Sequence, residues 1–514
     1  MLHLLAAHSV CASVSDTIPT DRSYQFFRLA SFENPWISRV NPAGLSIADF
    51  ISVNRAELIY GFNDKDIMPA QTPGVINSYR ARTEGYRRIG NISFYGEFGY
   101  HNEHYDRLKY NNTLVFDPSN PYLLGDTIGG RQRKEGYSLE GAVSVMLSDK
   151  ISAGLNIHYV NSTGAKLKDP RNLNSISSLV VTPGVTYRAG NLTFGLSGGP
   201  EKFNNDVEVS VTENAKYHLF QFMGLGYFKS IRNIYSYSNA YYGSGFRANV
   251  QIGADRRRFG SFTNIGVRSY KEEVRYGTSG RLLDAISNTT TINVNSVQMF
   301  RGKKANHYLE AEFRADLIGG TEINQDYVRI VQGLYSYDSL VTLSWVDNRH
   351  TIENFSGSMQ YRFVLPDESG TPDIEAVAGI AGDYYASNHY PVENWGFFNV
   401  ISVTGNAGLT KSIRTRGRLV MIPEILFAYR MNIFKDMEYN IVTQSLPNIA
   451  LMDYRALNHN FIRGDITLTA LMNTGARTIT GYYFKGNFNL SQQLGSDETE
   501  GRNINLEISL GIIF

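Results

Sequence analysis

From Arg502 to the end of the chain, hydrophobic and polar residues trade places one by one. Ile504, Leu506, Ile508, Leu510, Ile512 and Phe514 hold one parity; Asn503, Asn505, Glu507, Ser509 and Gly511 hold the other. Side chains of a β-strand point alternately to its two faces, so this spacing predicts a strand with one greasy and one polar face. Ile513 alone breaks the pattern. The same rhythm returns along the chain. Asn91–His101 sets Ile92, Phe94, Phe98 and Tyr100 against Ser93, Glu97 and His101, and Tyr137–Leu147 sets Leu139, Val143 and Val145 against Ser138, Glu140 and Ser144. Ile151–Tyr159, Phe355–Leu365 and Arg477–Leu490 repeat it. These runs have the length of membrane-crossing strands, about nine to eleven residues or more.

Connections alternate in size. Short ones are predicted near Gly90, Asp149, Gly190, Asp255–Arg258, Gly302–Ala305, Pro366–Pro372 and Asn473–Ala476. Long polar stretches are predicted at Asp106–Lys134, Asn161–Ser175, Phe203–Ser238, Thr321–Asp338 and Met431–Asn458. Short turns at one end and long loops at the other are the asymmetry of a membrane barrel. The expectation is an all-β chain: a transmembrane antiparallel β-barrel over residues 51–514, of about 18 strands, within a range of roughly 16–20. Residues 16–50 show no sustained alternation and are expected to be a short periplasmic or lumen-plugging segment. Residues 1–15 read as the remnant of a secretory signal, with Leu4-Leu5-Ala6-Ala7 as its apolar core. A lumen of that strand number is wider than its own side chains fill, so residues 16–50 or inward-folded loops are expected to occupy it.

Composition sharpens this picture in three ways. The 33 Tyr, 28 Phe and 47 Gly suit strands, interfacial girdles and turns. A formal net charge of +1 gives no basic excess, so no nucleic-acid partner is expected. No run of about eighteen apolar residues exists to make a transmembrane helix.

A terminal strand ending on Phe514 resembles the assembly signal of bacterial outer-membrane β-barrels. The resemblance implies an outer-membrane location, handling by the barrel assembly machinery, and contact with membrane lipid and lipopolysaccharide. Asn41-Pro42-Ala43-Gly44-Leu45 resembles the N-P-A-G-L element of FadL-type long-chain fatty-acid transporters and of related Bacteroidota barrels. That likeness implies a plug made by the N-terminal segment and a small, hydrophobic solute as cargo. The chain as a whole is similar to uncharacterised outer-membrane barrel families of Bacteroidota, which imply location and fold but no activity.

Enzyme signatures are missing from the sequence: no Walker loop, no H-E-x-x-H, no G-x-S-x-G elbow. The one cysteine, Cys11, falls in the leader, so no thiolate chemistry, cofactor or metal is expected of residues 16–514. The candidate functional residues are charges on the polar parity. Along Asn306–Leu317 they are Glu310, Glu312, Arg314 and Asp316, and elsewhere Glu97, Glu140, Arg247, Arg362, Arg463, Asp465, Lys485 and Glu507. Such a set either fills the lumen with ion pairs or lines a conduit that selects a solute; the mixed signs lean toward the first. Two functions stay open: a plugged channel for a small solute, or a structural adaptor whose loops hold a surface lipoprotein or secretion partner. TonB-driven uptake by this chain alone is not expected, because residues 16–50 are far shorter than a TonB-dependent plug domain.

Overall fold

Alternation becomes a hydrogen-bonded ladder at Val53 and stays one until Ile513 has come back beside it. The computed structural model describes residues 20–48, 52–116, 120–212, 219–231, 235–277, 282–332, 335–390, 395–415, 418–440, 449–476, 479–494 and 501–514. The leader read at residues 1–15 lies outside them. The wall opens with β1 (Val53–Lys65), β2 (Val75–Ile89), β3 (Ile92–Leu108), β4 (Gly130–Met146), β5 (Ile151–Lys166) and β6 (Arg171–Ala189). It continues with β7 (Leu192–Ser210), β8 (Ser236–Arg256), β9 (Phe259–Tyr276), β10 (Leu282–Arg301), β11 (Asn306–Gln332) and β12 (Tyr335–Pro366). It finishes with β13 (Pro372–His389), β14 (Trp395–Lys411), β15 (Leu419–Asn440), β16 (Asn460–Asn473), β17 (Gly481–Leu494) and β18 (Arg502–Ile513).

Each strand pairs antiparallel with the next, and β18 pairs with β1, which closes an 18-strand barrel. Closure matters because a strand can cross a bilayer only when no edge is left to face hydrocarbon. One parity of the wall exposes Leu58, Phe98, Leu139, Leu155, Ile265, Ile380, Ile466 and Leu510. The other parity faces inward. Short turns gather at one end of the barrel. At Gly90 and Gly190 the chain turns at φ +60° and +63°, a backbone conformation that glycine adopts without strain.

Ile513 is the informative exception in the terminal strand. It faces inward, is 1 % exposed, and packs with Tyr24, Val53, Leu471 and Tyr483. The alternation breaks there because the inner wall meets an apolar side chain from the N-terminal segment. That segment also holds what the alternation had hidden: helix α1 (Thr20–Glu33), a 3-10 turn at Pro35–Ser38 and one helical turn, α2 (Gly44–Ile47). α1 stops before Pro35, as expected from the steric restriction on the residue preceding a proline.

Two of the long loops expected from sequence are strands. Asn161–Ser175 is ladder up to Lys166 and again from Arg171. Of Thr321–Asp338, the part up to Gln332 belongs to β11 and the part from Tyr335 to β12, which run 27 and 32 residues against 20 and 18 for their neighbours β10 and β13. Above the apolar band both faces of a strand meet polar surroundings, so the ladder goes on after the alternation has stopped. One short connection, Lys411 to Leu419, escaped the sequence reading.

Candidate functional site

The segment from Thr20 to Ala48 touches wall strands on every side of the ring, so it lies within it, at the short-turn end. The Thr20 hydroxyl reaches Asn473 on β16 at 2.7 Å, and Tyr24 lies 3.2 Å from the Thr469 hydroxyl. Arg28 binds Glu375 on β13. Trp36 stands edge-on to Phe262 on β9, with ring centroids 5.0 Å apart. Arg39 donates to Glu140 on β4 at 3.0 Å and lies over the Tyr95 ring. Ser46 and Ser144 share a hydrogen bond of 2.6 Å.

The N-P-A-G-L element lies directly against the wall. Asn41 donates to the Val185 carbonyl and to Gln251, each at 3.0 Å, and its own side-chain oxygen accepts from the Ala43 amide at 3.1 Å. Ala43 and Leu45 are fully buried. A Cβ on Gly44 would stand 2.5 Å from the Trp36 carbonyl oxygen. On the wall, a Cβ on Gly154 would meet Ala43 at 2.6 Å, and one on Gly184 would meet Asn41. Bare backbone on both sides lets Pro42 and its neighbours lie flat against β5 and β6.

The opposite end is filled by loops. A small sheet of Leu124–Asp126, Leu219–Gly224 and Tyr227–Ile231 sits inside the barrel mouth together with α3 (Ile449–Leu457). Leu124, Phe220 and Met223 on it are buried, as is Tyr122 just before it, and Leu225 packs on Phe398, Val400 and Ala450. Polar bonds hold this cap to the wall. Asn172 and Asn174 each donate to the Asn112 carbonyl at 2.9 Å, and Tyr241 accepts from the Leu124 amide at 2.9 Å. Lys166 and Asp126 form an ion pair of 2.5 Å with both side chains buried.

Most of the charges singled out in the sequence take part in this packing. Glu97 accepts from Arg82 at 2.8 Å and from Tyr95; Glu140 takes Arg39 and Asn156. Arg247 shares Glu201 with Arg268. Arg362 binds Glu375 at 3.1 Å and lies over Phe32. Arg463 pairs with Asp465 at 2.9 Å, and Glu507 with Arg80 at 2.6 Å. Asp316 receives Arg314 at 2.8 Å and Thr291 at 2.7 Å. Lys485 stands on the inward parity opposite Thr469 and Ser509. Phe514 continues the ladder with Asn54, through bonds of 2.9 and 3.0 Å.

Charged partners that the sequence reading missed are Arg28, Arg39, Arg80, Arg82, Glu84, Glu201, Arg268 and Glu375. The signal was present in part: Arg80, Arg82 and Glu84 share a parity, as Glu310, Glu312 and Arg314 do. Nothing in the chain says which arginine faces which carboxylate across hundreds of residues.

One stretch of inner wall is left open. Between the N-terminal segment and β9–β13 lies a cavity of about 670 Å³. Pro35, Ser38 and Val40 close one side, and Asn293, Asn295, Glu310, Glu312, Arg314, Ser358 and Asp383 line the other, with Phe262, Val294, Val297 and Phe313 between them. Glu312 accepts from Asn295 at 2.7 Å. Among the described residues no ion pair involves Glu310, Glu312 or Asp383, unlike Glu84, Glu201 and Glu375 elsewhere on the wall.

A family model described as "Family of unknown function (DUF6850)" matches residues 42–514. No curated protein matches the chain. Among solved structures, the RagAB peptide importer in its "closed-closed" state aligns at 7 % identity and a TM-score of 0.40, over 90 % of this chain and 87 % of that one. The outer membrane transporter YddB from Escherichia coli aligns at 7 % and 0.38, over 91 % and 82 %. The FrpB iron transporter from Neisseria meningitidis aligns at 10 % and 0.39, over 92 % and 83 %.

Proposed function

The chain belongs to the DUF6850 family, which brings no activity with it, and from its geometry we propose an outer-membrane transport barrel whose N-terminal segment plugs the lumen. Thr20, Phe514 and the short turns then face the periplasm, and the cap of loops faces outward. The observation that carries this reading is the cavity between Pro35–Val40 and the β9–β13 wall. It is a solute-sized space, bounded on one side by a segment held mainly by side-chain contacts rather than by ladder bonds. Displacing that segment would join the cavity to the periplasm.

The lining favours a small polar cargo over a hydrophobic one. Asn, Ser, Glu and Asp side chains offer hydrogen bonds, and Glu310, Glu312 and Asp383 outnumber Arg314, which is paired with Asp316, so the lining is net negative and favours cations. The many ion pairs of the rest of the lumen fill space and fix the strands. Nothing in this role requires a catalytic group or a cofactor.

The test is charge selectivity once the lumen is cleared. A barrel lacking residues 20–41, reconstituted in a planar bilayer across a potassium chloride gradient, is expected to prefer cations. Glu310→Gln with Glu312→Gln is expected to move the reversal potential toward zero. An unchanged reversal potential would remove this wall from the conduction path.

A further inference from the structure

A second space inside the barrel is roofed over rather than open. Beneath the cap, Thr113, Val115, Asn120 and Leu123 close a cavity of about 200 Å³ against β7, β8 and β9. Drug-sized pockets run from roughly 300 to 1,000 Å³, so this one suits a ligand of only several heavy atoms. Two glycines let the side chains of β7 and β9 lean together over it. Tyr241, Gly243, Gly245 and Arg247 follow one another on the inward parity of β8. A Cβ on Gly243 would run into the Tyr270 hydroxyl, and one on Gly245 would stand 2.7 Å from a Glu201 oxygen.

The register orders the polar groups along the cavity. Arg247 lies opposite Arg268, Gly245 opposite Glu201 and Tyr270, Gly243 opposite Glu272, and Tyr241 opposite Asn205. At the first end both arginines bind Glu201, Arg247 through Nε at 2.8 Å and Arg268 through Nε at 2.5 Å. One carboxylate between two guanidiniums leaves a surplus positive charge. Nη1 of Arg247 and both Nη atoms of Arg268 have no acceptor among the described residues. At the far end the Glu272 carboxylate takes the Tyr270 hydroxyl at 2.8 Å and the Asn120 amide. Asn205 is fully buried there: its Nδ2 donates to the Thr113 carbonyl at 2.9 Å, and its Oδ1 has no donor among the described residues. Tyr270 joins the two ends, with the Arg268 guanidinium 4.2 Å from its ring centroid and its hydroxyl on Glu272.

We propose that this cavity binds a small zwitterion of the α-amino acid class, its carboxylate on Arg247 and Arg268 and its ammonium on Glu272 and the Asn205 Oδ1. The guanidinium and carboxylate ends stand about one tyrosine side chain apart, a span that an α-amino acid covers with one hydrogen bond at each end. Both bonds are then charge-assisted, which makes them the strong kind. A simple anion would leave the buried Asn205 oxygen without a donor, and an unsatisfied buried acceptor is costly. A simple cation would meet the surplus arginine charge with nothing to offer it. The site is separate from the cavity beside Pro35–Val40 and does not depend on whether that one conducts.

The test is equilibrium dialysis of the full chain in detergent against the pooled common α-amino acids, and separately against acetate. The intact barrel is expected to retain at least one amino acid, one molecule per chain, and no acetate. Arg247→Gln removes the surplus charge and leaves Arg268 to hold Glu201, so the wall keeps its ion pair; Glu272→Gln removes the other end. Each is expected to weaken the retained amino acid at least about tenfold, the worth of one hydrogen bond to a charged group. Glu310→Gln with Glu312→Gln, in the other cavity, is expected to leave it bound as before. Heat-modifiability reports that the variants fold. No retention by the intact barrel, equal retention of acetate, unchanged affinity in folded Arg247→Gln or Glu272→Gln, or loss in the Glu310 and Glu312 variant would each overturn the proposal.

Discussion

Glu375→Gln is expected to loosen the N-terminal helix without dismantling the barrel. Glu375 is 1 % exposed and is the shared counter-ion of Arg28, on α1, and Arg362, on the neighbouring strand. Neutralising it leaves two largely buried guanidiniums facing each other, with Glu424 the carboxylate that still acts on both. Breaking a buried pair by removing one partner costs about 3–5 kcal/mol, because the remaining charge stays desolvated. At about 1.4 kcal/mol per tenfold, the opening equilibrium of α1 should rise by between roughly 10²-fold and a few times 10³-fold. Hydrogen exchange at Phe27–Phe32 reads this directly, while the ladder amides of β13 serve as the internal reference. Unaltered exchange at those positions would mean that Arg28 and Glu375 contribute nothing to holding the helix.

Acid is expected to release the cap at the other end. His350 and His389 face each other across β12 and β13, 5.9 Å apart between ring centroids, and both are buried at 1 % exposure. His350 stands about sixteen residues up β12 from Pro366, well past the ten or so that span hydrocarbon. The cap lies on top of them: Gly224 packs on the His350 ring and Tyr227 on the His389 ring, 5.0 Å between centroids. Among the described residues, neither nitrogen of His389 nor Nδ1 of His350 has a hydrogen-bond partner. Burial, with the neighbouring His389, holds His350 down at about 3, and burial, with the nearby Arg349, holds His389 at about 4. The other charges around them are Glu322, which faces Arg349, and the Lys229–Asp284 pair between the cap and β10.

Both imidazoles are therefore neutral in the folded barrel and ready to charge once released. Below the ordinary histidine value of about 6.5 the released state binds protons that the packed state refuses, so stability falls as pH falls. At pH 5 the loss is about 2 kcal/mol for each histidine, at about 1.4 kcal/mol per pKa unit. A nitroxide placed at Ser230 of the cap should be immobile at pH 7.5 and mobile at pH 5. With His350→Phe and His389→Phe together it should stay immobile at both. Mobility that rises equally in the double variant would assign the transition to other groups.

What could be read from sequence follows from where each residue meets its solvent. Inside the apolar band every second side chain faces lipid, so β3, β4, β5 and β18 are written plainly in the alternation. The one violation in β18, Ile513, is the point where Tyr24 of α1 touches the wall. Above the band no solvent asymmetry exists, which is why Thr321–Asp338 read as a loop although β11 runs through it to Gln332 and β12 starts at Tyr335. Helix α1 was hidden for a related reason. It is surrounded by the inner wall on all sides, and Phe26, Phe27, Leu29 and Phe32 spread around it rather than forming one stripe. The charged column Glu310, Glu312, Arg314 and Asp316 was legible as one inward row. That Asp316 is consumed by Arg314 while Glu310 faces the cavity was not, because pairing depends on strands brought together by closure.

The central claim is that residues 20–41 close a lumen that conducts without them. Single-channel recording in a planar bilayer compares the intact chain with one lacking that segment. The intact barrel should be silent or open only briefly, and the shortened one should show steady conductance of one unitary size. Equal conductance in both, or silence in both with a correctly folded barrel, would contradict the claim.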